Sequence, residues 1–204
     1  MRILSRKLAV TLVAFSVIAP AAGAQVIDQQ QTNNEGYFGY LSSWNLQSFK
    51  PTGNNVAGGG FNLFTQYYSG GSATIALFSG TPGSGLTMLA SGTGVVLGGQ
   101  YAEWVDAFWS PVSVTSGGNY ALGIYSSTTN AITREGYGDP YANGQAYYTY
   151  SANYNAAPGC CGTYHDLTFR EYSSANVAPE PASVAPLATG LVGVVGIARR
   201  RRSL

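Results

Sequence analysis

Across residues 25–177 the chain never sustains the 3.6-residue apolar period of an amphipathic helix. It runs instead as short apolar or alternating stretches cut by clusters of Gly, Ser, Asn and Pro. Such punctuation leaves room for little but the short strands of an antiparallel sandwich or barrel. The breaks are explicit: Pro51-Thr52-Gly53-Asn54-Asn55, Ser69-Gly70-Gly71, residues 80–85, Gly98-Gly99 and Ser116-Gly117-Gly118-Asn119. Between them the pattern predicts strands over 46–49, 60–68, 73–78, 87–90, 100–108, 112–114, 120–125, 145–150 and 165–171. Alternation is clearest at Tyr120, Leu122 and Ile124, and at Leu167 and Phe169 with polar Asp166, Thr168 and Arg170 around them. Side chains two apart share a face, so these residues form the expected core together with Phe61, Leu63, Ile75 and Leu77.

The two ends read differently. Arg2, Arg6 and Lys7 precede an apolar run over 8–18, and Ala22-Gly23-Ala24 follows with small side chains. This is the order of a secretory signal, with cleavage by signal peptidase expected after Ala24. About a dozen apolar residues are too few to span a bilayer comfortably. At the other end Pro179, Glu180 and Pro181 precede an uncharged stretch over 182–198, barely long enough for a short spanning helix, and then Arg199, Arg200, Arg201 and Arg202. Four arginines behind an apolar segment hold that end in the cytoplasm. The expected organisation is therefore a signal peptide over 1–24, one all-β domain over 25–177 and a tail over 178–204. A signal helix and a transmembrane helix would flank the domain.

Charge narrows the partners. Seven of the ten basic residues sit in the two ends. The remainder keeps Lys50, Arg134 and Arg170 against Asp28, Glu35, Glu103, Asp106, Glu135, Asp139, Asp166 and Glu171, a formal charge of −5. Nucleic acid needs a basic footprint to displace counterions, and this stretch offers none. Charged residues are only 9% of the chain while aromatics reach 13%, with 15 Tyr, which argues for a folded rather than a disordered middle.

The tail resembles the PEP-CTERM sorting signal, because a Pro-Glu-Pro motif, a short apolar helix and an arginine cluster follow one another at the end of a chain whose start reads as a secretory signal. The resemblance implies recognition by an exosortase-type membrane transpeptidase, removal of the helix, and delivery to the cell envelope or extracellular matrix. Membrane contact would be limited to the C-terminal helix before processing. The alternative is an ordinary anchor that is never processed, and Pro186 interrupts the helix early. Within the domain, Gln47-Ser48-Phe49-Lys50-Pro51-Thr52, Ser110-Pro111-Val112-Ser113-Val114, Gly138-Asp139-Pro140-Tyr141-Ala142-Asn143-Gly144 and Asp166-Leu167-Thr168-Phe169-Arg170 are similar to phrases of secreted, non-enzymatic β-sandwiches of bacterial surfaces. The implied fold is a jelly-roll-like antiparallel sandwich.

Groups able to do chemistry are sparse. His165 is the single histidine, at the head of the expected closing strand, where a surface or strand-end role is favoured over a catalytic base. A glycosidase needs two carboxylates facing one bond, whereas Glu103 and Asp106 are three apart in a strand and point to opposite faces. No catalytic residue, metal ligand or cofactor is assigned. Cys160 and Cys161 are adjacent between Gly159 and Gly162. A vicinal disulfide is favoured over bonds to another molecule or free thiols, the glycines easing the distortion it needs.

Aromatic rings are the better candidates for binding. Tyr37, Tyr40 and Trp44 precede the first core strand, Tyr137 and Tyr141 flank a Gly-Asp-Pro turn with Asp139 and Asn143 nearby, and Tyr147, Tyr148, Tyr150 and Tyr154 follow. Of these, Trp44, Tyr137, Asp139, Tyr141 and Asn143 are the expected glycan contacts, with the rings exposed, although tyrosines also pack half-buried on sheets. Three functions follow in order: an exported, non-catalytic envelope or matrix protein; a module binding exopolysaccharide; and a secreted hydrolase.

Overall fold

A computed structural model of the chain describes residues 24–156 and 164–175. Twelve strands form among them: β1 (Gln25–Gln31), β2 (Gly36–Tyr40), β3 (Asn45–Phe49), β4 (Asn55–Phe64), β5 (Ser69–Ser79), β6 (Thr87–Gly98), β7 (Glu103–Ser113), β8 (Tyr120–Tyr125), β9 (Ile132–Tyr137), β10 (Ala146–Tyr148), β11 (His165–Leu167) and β12 (Phe169–Ser174). The first sheet runs β1-β12-β4-β9-β11, with β2 added on β9 and β7 on β4. The second runs β10-β3-β8-β5-β6. All pairings are antiparallel, and the two sheets make a β-sandwich.

The alternation read from the sequence sets which side chains fill the space between the sheets. Phe61, Leu63, Leu167 and Phe169 from the first sheet meet Ile75, Leu77, Leu122 and Ile124 from the second, and all eight are fully buried. Each such burial stabilises the fold by about 1.5–3 kcal/mol. Tyr120 is half-buried at the rim of this core, its hydroxyl accepting the Thr115 N–H at 2.9 Å. The sheets approach closely over β4, where a Cβ on Gly59 would lie 2.8 Å from Leu122 Cδ2 of the facing sheet.

Several strands differ from expectation for identifiable reasons. β1 is an edge strand whose two apolar residues, Val26 and Ile27, are adjacent and exposed among polar ones, so its pattern shows no alternation toward a core. β2 and β9 were not foreseen either; β9 reads Ile-Thr-Arg-Glu-Gly-Tyr and buries Arg134 and Glu135. The expected stretch over 60–68 is displaced: β4 begins at Asn55, and Thr65 to Tyr68 close a turn with the Tyr68 N–H donating to the Thr65 carbonyl. The Ser69-Gly70-Gly71 break is the start of β5, and β6 continues far past residue 90 to Gly98. The stretches 100–108 and 112–114 are one strand, β7, which absorbs Pro111 at a register shift opposite Val56 and Gly58. A residue without an N–H is tolerated at such an irregularity. The closing stretch divides at Thr168, which donates to Arg134 of β9 and accepts from Asn62 of β4, so the chain changes partner there.

Candidate functional site: an aromatic strip on the outer face of the first sheet

The outward-facing positions of the first sheet are unusually rich in rings. Leu63 faces the core opposite Thr133, so its neighbour Phe64 faces outward opposite Ile132. Tyr37 lies opposite Arg134 on the same outer side. Phe64 becomes the hub of a cluster: its ring centroid is 4.8 Å from Tyr37, 5.6 Å from Tyr67 and 5.6 Å from Tyr101, all edge-on. Phe64 itself is buried, while Tyr37, Tyr67 and Tyr101 are 46%, 78% and 63% exposed. Turn geometry puts them there. Tyr67 sits in the turn between β4 and β5, and Tyr101 in the turn between β6 and β7.

Arg134 is held beneath these rings. Its guanidinium lies 5.1 Å from the Tyr37 ring centroid and 5.2 Å from that of Tyr101. It donates to the carbonyls of Tyr101 at 3.2 Å and Asn34 at 3.0 Å. A buried cation fixed this way contributes through cation–π attraction and locks the two rings in place. The Tyr37 hydroxyl, and then the Arg134 charge, hold the Tyr101 phenol below its ordinary range.

The strip continues along the same face. Trp104 lies opposite Asn62, and the Arg170 guanidinium stacks 4.2 Å from its ring centroid. Arg170 also forms a two-pronged ion pair with Asp106, whose Oδ1 accepts the Tyr172 hydroxyl at 3.0 Å. Phe108, 48% exposed, packs on Tyr172 at 5.0 Å. Next to Tyr67 at the opposite end, an open cleft of about 340 Å³ is lined by Tyr67, Tyr68, Ser69, Ser127, Thr128, Thr129 and Asn130. Flat rings beside a hydroxyl- and amide-rich cleft can stack on an apolar face while trading hydrogen bonds with polyhydroxylated groups.

The residues expected as glycan contacts are dispersed. Trp44 is buried at 4% exposure on the outer side of the second sheet, in a second core with Leu46, Ala76, Phe78, Leu86 and Ala121. Residues 149–156 fold over it, and its Nε1–H donates to the Ala152 carbonyl at 2.9 Å. Tyr141 is also buried: its ring packs edge-on against Phe169 at 5.1 Å, and its hydroxyl donates to Gln29 Oε1 at 3.0 Å. Burial pushes that phenol up to about 12. The expectation that these two rings are exposed is thus corrected, because each had a core to enter that local sequence does not reveal. Tyr137, Asp139 and Asn143 are exposed, but Tyr137 is three residues from Arg134 on β9 and faces the other side of the sheet, away from the strip.

Among the other candidates, His165 is half-buried with Nδ1 3.0 Å from Glu135 Oε2, and its ring meets Tyr137 edge-on. Burial raises the Glu135 carboxyl, with His165 opposing. Glu103 faces the core side and accepts the Leu97 and Gly98 N–H groups and the Thr65 hydroxyl, while Asp106 faces out to Arg170. Ala24 is exposed at the head of β1. Ala22, Cys160, Cys161, the Pro179-Glu180-Pro181 motif and Arg199, Arg200, Arg201 and Arg202 lie outside the described residues. Among the described residues no helix is long and apolar enough to cross a membrane, and no three acidic, His or Cys side chains are gathered as metal ligands. The aromatic strip as a whole escaped sequence reading, Tyr37 apart, because its members are spread over β2, β4, β7, β9, β12 and two turns. The one local signal was Tyr37, Phe38 and Tyr40 beside Gly36 and Gly39.

No family model matches the chain, and no curated protein is significantly similar to it.

Proposed function

We propose that this chain is an exported, non-catalytic envelope or matrix protein whose jelly-roll-like sandwich binds polysaccharide through the outer aromatic strip. The observation that carries the binding role is the row of exposed, immobilised rings: Tyr37 and Tyr101 around Arg134, and Tyr67 beside the hydroxyl-lined cleft. Rings already locked in place bind at lower entropic cost than rings that must be ordered. The negative balance of the domain favours a neutral glycan over an anionic one.

Export and sorting rest on the two ends of the sequence. Signal peptidase would remove residues 1–24, and an exosortase-type transpeptidase would act at the Pro179-Glu180-Pro181 region before release of the spanning helix. The layout of the sandwich agrees with that processing. Gln25 pairs with Ser174, and the Ala175 N–H donates to the Ala24 carbonyl. The two ends of the described fold, residues 24 and 175, meet at this point, so trimming the chain outside them removes none of the strand pairings described. A non-catalytic role is supported by Glu103 and Asp106 each being engaged in structural bonds.

The test is retention of the full chain on a panel of neutral and acidic polysaccharides, including the producing cell's own exopolysaccharide. Saturable retention on at least one neutral glycan is expected. Retention on none of them, by a folded chain, would remove the binding role.

A further inference from the structure

Glu171 is the least accounted-for charge in the fold. It sits on β12 facing the core opposite Gly59 and Gln29, with none of its residue surface exposed. Among the described residues, both of its carboxylate oxygens lack a hydrogen-bond partner. A buried, unpartnered carboxylate costs several kcal/mol, and such a group calls for a missing ligand or a proton.

Its neighbour is a second carboxylate. β1 carries a bulge between Ile27 and Gln29, and the extra residue is Asp28. The bulge brings Asp28 beside Glu171, within hydrogen-bonding reach of it. Asp28 is anchored by the Thr52 N–H at 2.9 Å, the Gly53 N–H at 3.3 Å and the Thr52 hydroxyl. Burial would raise the Asp28 carboxyl, but these donors together hold it low. Gln29 is paired with Glu171 across the two strands, and its Oε1 accepts the Tyr141 hydroxyl at 3.0 Å. Among the described residues the ion pairs are His165–Glu135 and Arg170–Asp106, so no basic side chain neutralises either Asp28 or Glu171.

We propose that Asp28 and Glu171, with Gln29 Oε1, bind one Ca²⁺ ion that ties β1 to β12 and to the Thr52–Gly53 turn. Two carboxylates in contact need either a shared proton or a cation between them. A shared proton serves one Glu171 oxygen and leaves the other buried without a donor; a cation serves both. The donors are all oxygen, which selects a hard ion, and two carboxylates with an amide oxygen suit the flexible coordination of Ca²⁺ better than the strict octahedron of Mg²⁺. Two acids are few for such a site. Water reaching the half-buried Asp28 side completes the shell, and the affinity belongs with extracellular modules, at a Kd of about 10⁻⁴–10⁻³ M.

The experiment is calorimetric titration of the full chain, stripped with chelator, against CaCl₂ and MgCl₂, with thermal unfolding alongside. One Ca²⁺ per chain is expected. At a hundredfold excess over Kd the midpoint should rise by about 5–10 °C, with a much smaller response to Mg²⁺. Glu171→Gln and Asp28→Asn should each abolish the Ca²⁺ response, and Glu171→Gln should melt no lower than the stripped wild type. A stripped wild-type chain that neither binds Ca²⁺ nor shifts its midpoint would overturn the proposal and leave the shared proton. That result is read on the wild type, so it stands even if a variant fails to fold.

Discussion

Trp44 and Tyr67 are both aromatic residues next to strand ends, yet they have opposite roles. Trp44 stacks on Tyr125 at 5.5 Å, meets Phe78 and Tyr154 edge-on, and is 4% exposed. Tyr67 is 78% exposed. Trp44→Ala should therefore destabilise the fold by about 3–5 kcal/mol, whereas Tyr67→Ala should change stability by no more than about 0.5 kcal/mol. Chemical denaturation of the two variants measures both, and a Trp44 variant as stable as wild type would contradict its place in the second core. Residue-level sequence reading could not separate them, because burial of Trp44 depends on residues 149–156 more than a hundred positions away. Glu171 makes a second prediction. Its carboxyl is raised from an ordinary 4.5 to about 9, with ionised Asp28 beside it and the neutral Tyr141 phenol nearby. Between those values the folded, metal-free chain keeps a proton that the unfolded chain releases, so stability falls as pH rises from about 4.5 to 9. Thermal unfolding in chelator should show that slope, and Glu171→Gln should flatten it. An equal slope in the variant would assign it elsewhere.

At the scale of elements, β4 is the spine of the first sheet, pairing with β7, β12 and β9. Its Gly58-Gly59-Gly60 run carries no side chains to pack, and its role lies in what it admits. A Cβ at Gly59 would press on Leu122 across the sandwich, 2.8 Å from one methyl and 3.1 Å from the other. Gly59→Ala should destabilise by about 1–3 kcal/mol, and Gly59→Val by more. A neutral Gly59→Val in a denaturation series would mean that the sheets stand further apart than described. Elements whose apolar residues alternate toward one core, β3, β8 and β12, were legible in sequence. Elements whose inward residues are polar were not. β9 buries Arg134 and Glu135 because Tyr37, Tyr101 and His165 come to them from two other strands and a turn, and no window of the β9 sequence contains those partners. The strip was hidden for the same reason, being assembled from β2, β4, β7, β9, β12 and two turns.

For the molecule as a whole, the sandwich closes with its first strand against its last, which brings residues 24 and 175 together at one edge and leaves the strip on the outer face of the first sheet. Processing is open to a simple check: intact-mass measurement on envelope material should find a chain lacking residues 1–24 and the arginine cluster. A mass that retains the cluster would contradict sorting while leaving the binding role untouched. The binding role stands or falls on a single comparison. Equilibrium binding isotherms of the full chain on the polysaccharide that retains it should be measured for wild type, for the Tyr67→Ala/Tyr101→Ala pair and for Tyr137→Ala, each with its unfolding midpoint. The strip pair should bind at least about tenfold more weakly, a loss of ~1.4 kcal/mol, at a nearly unchanged midpoint, while Tyr137→Ala, exposed on the other side of β9, should bind as wild type. Wild-type affinity in the strip pair would contradict the account.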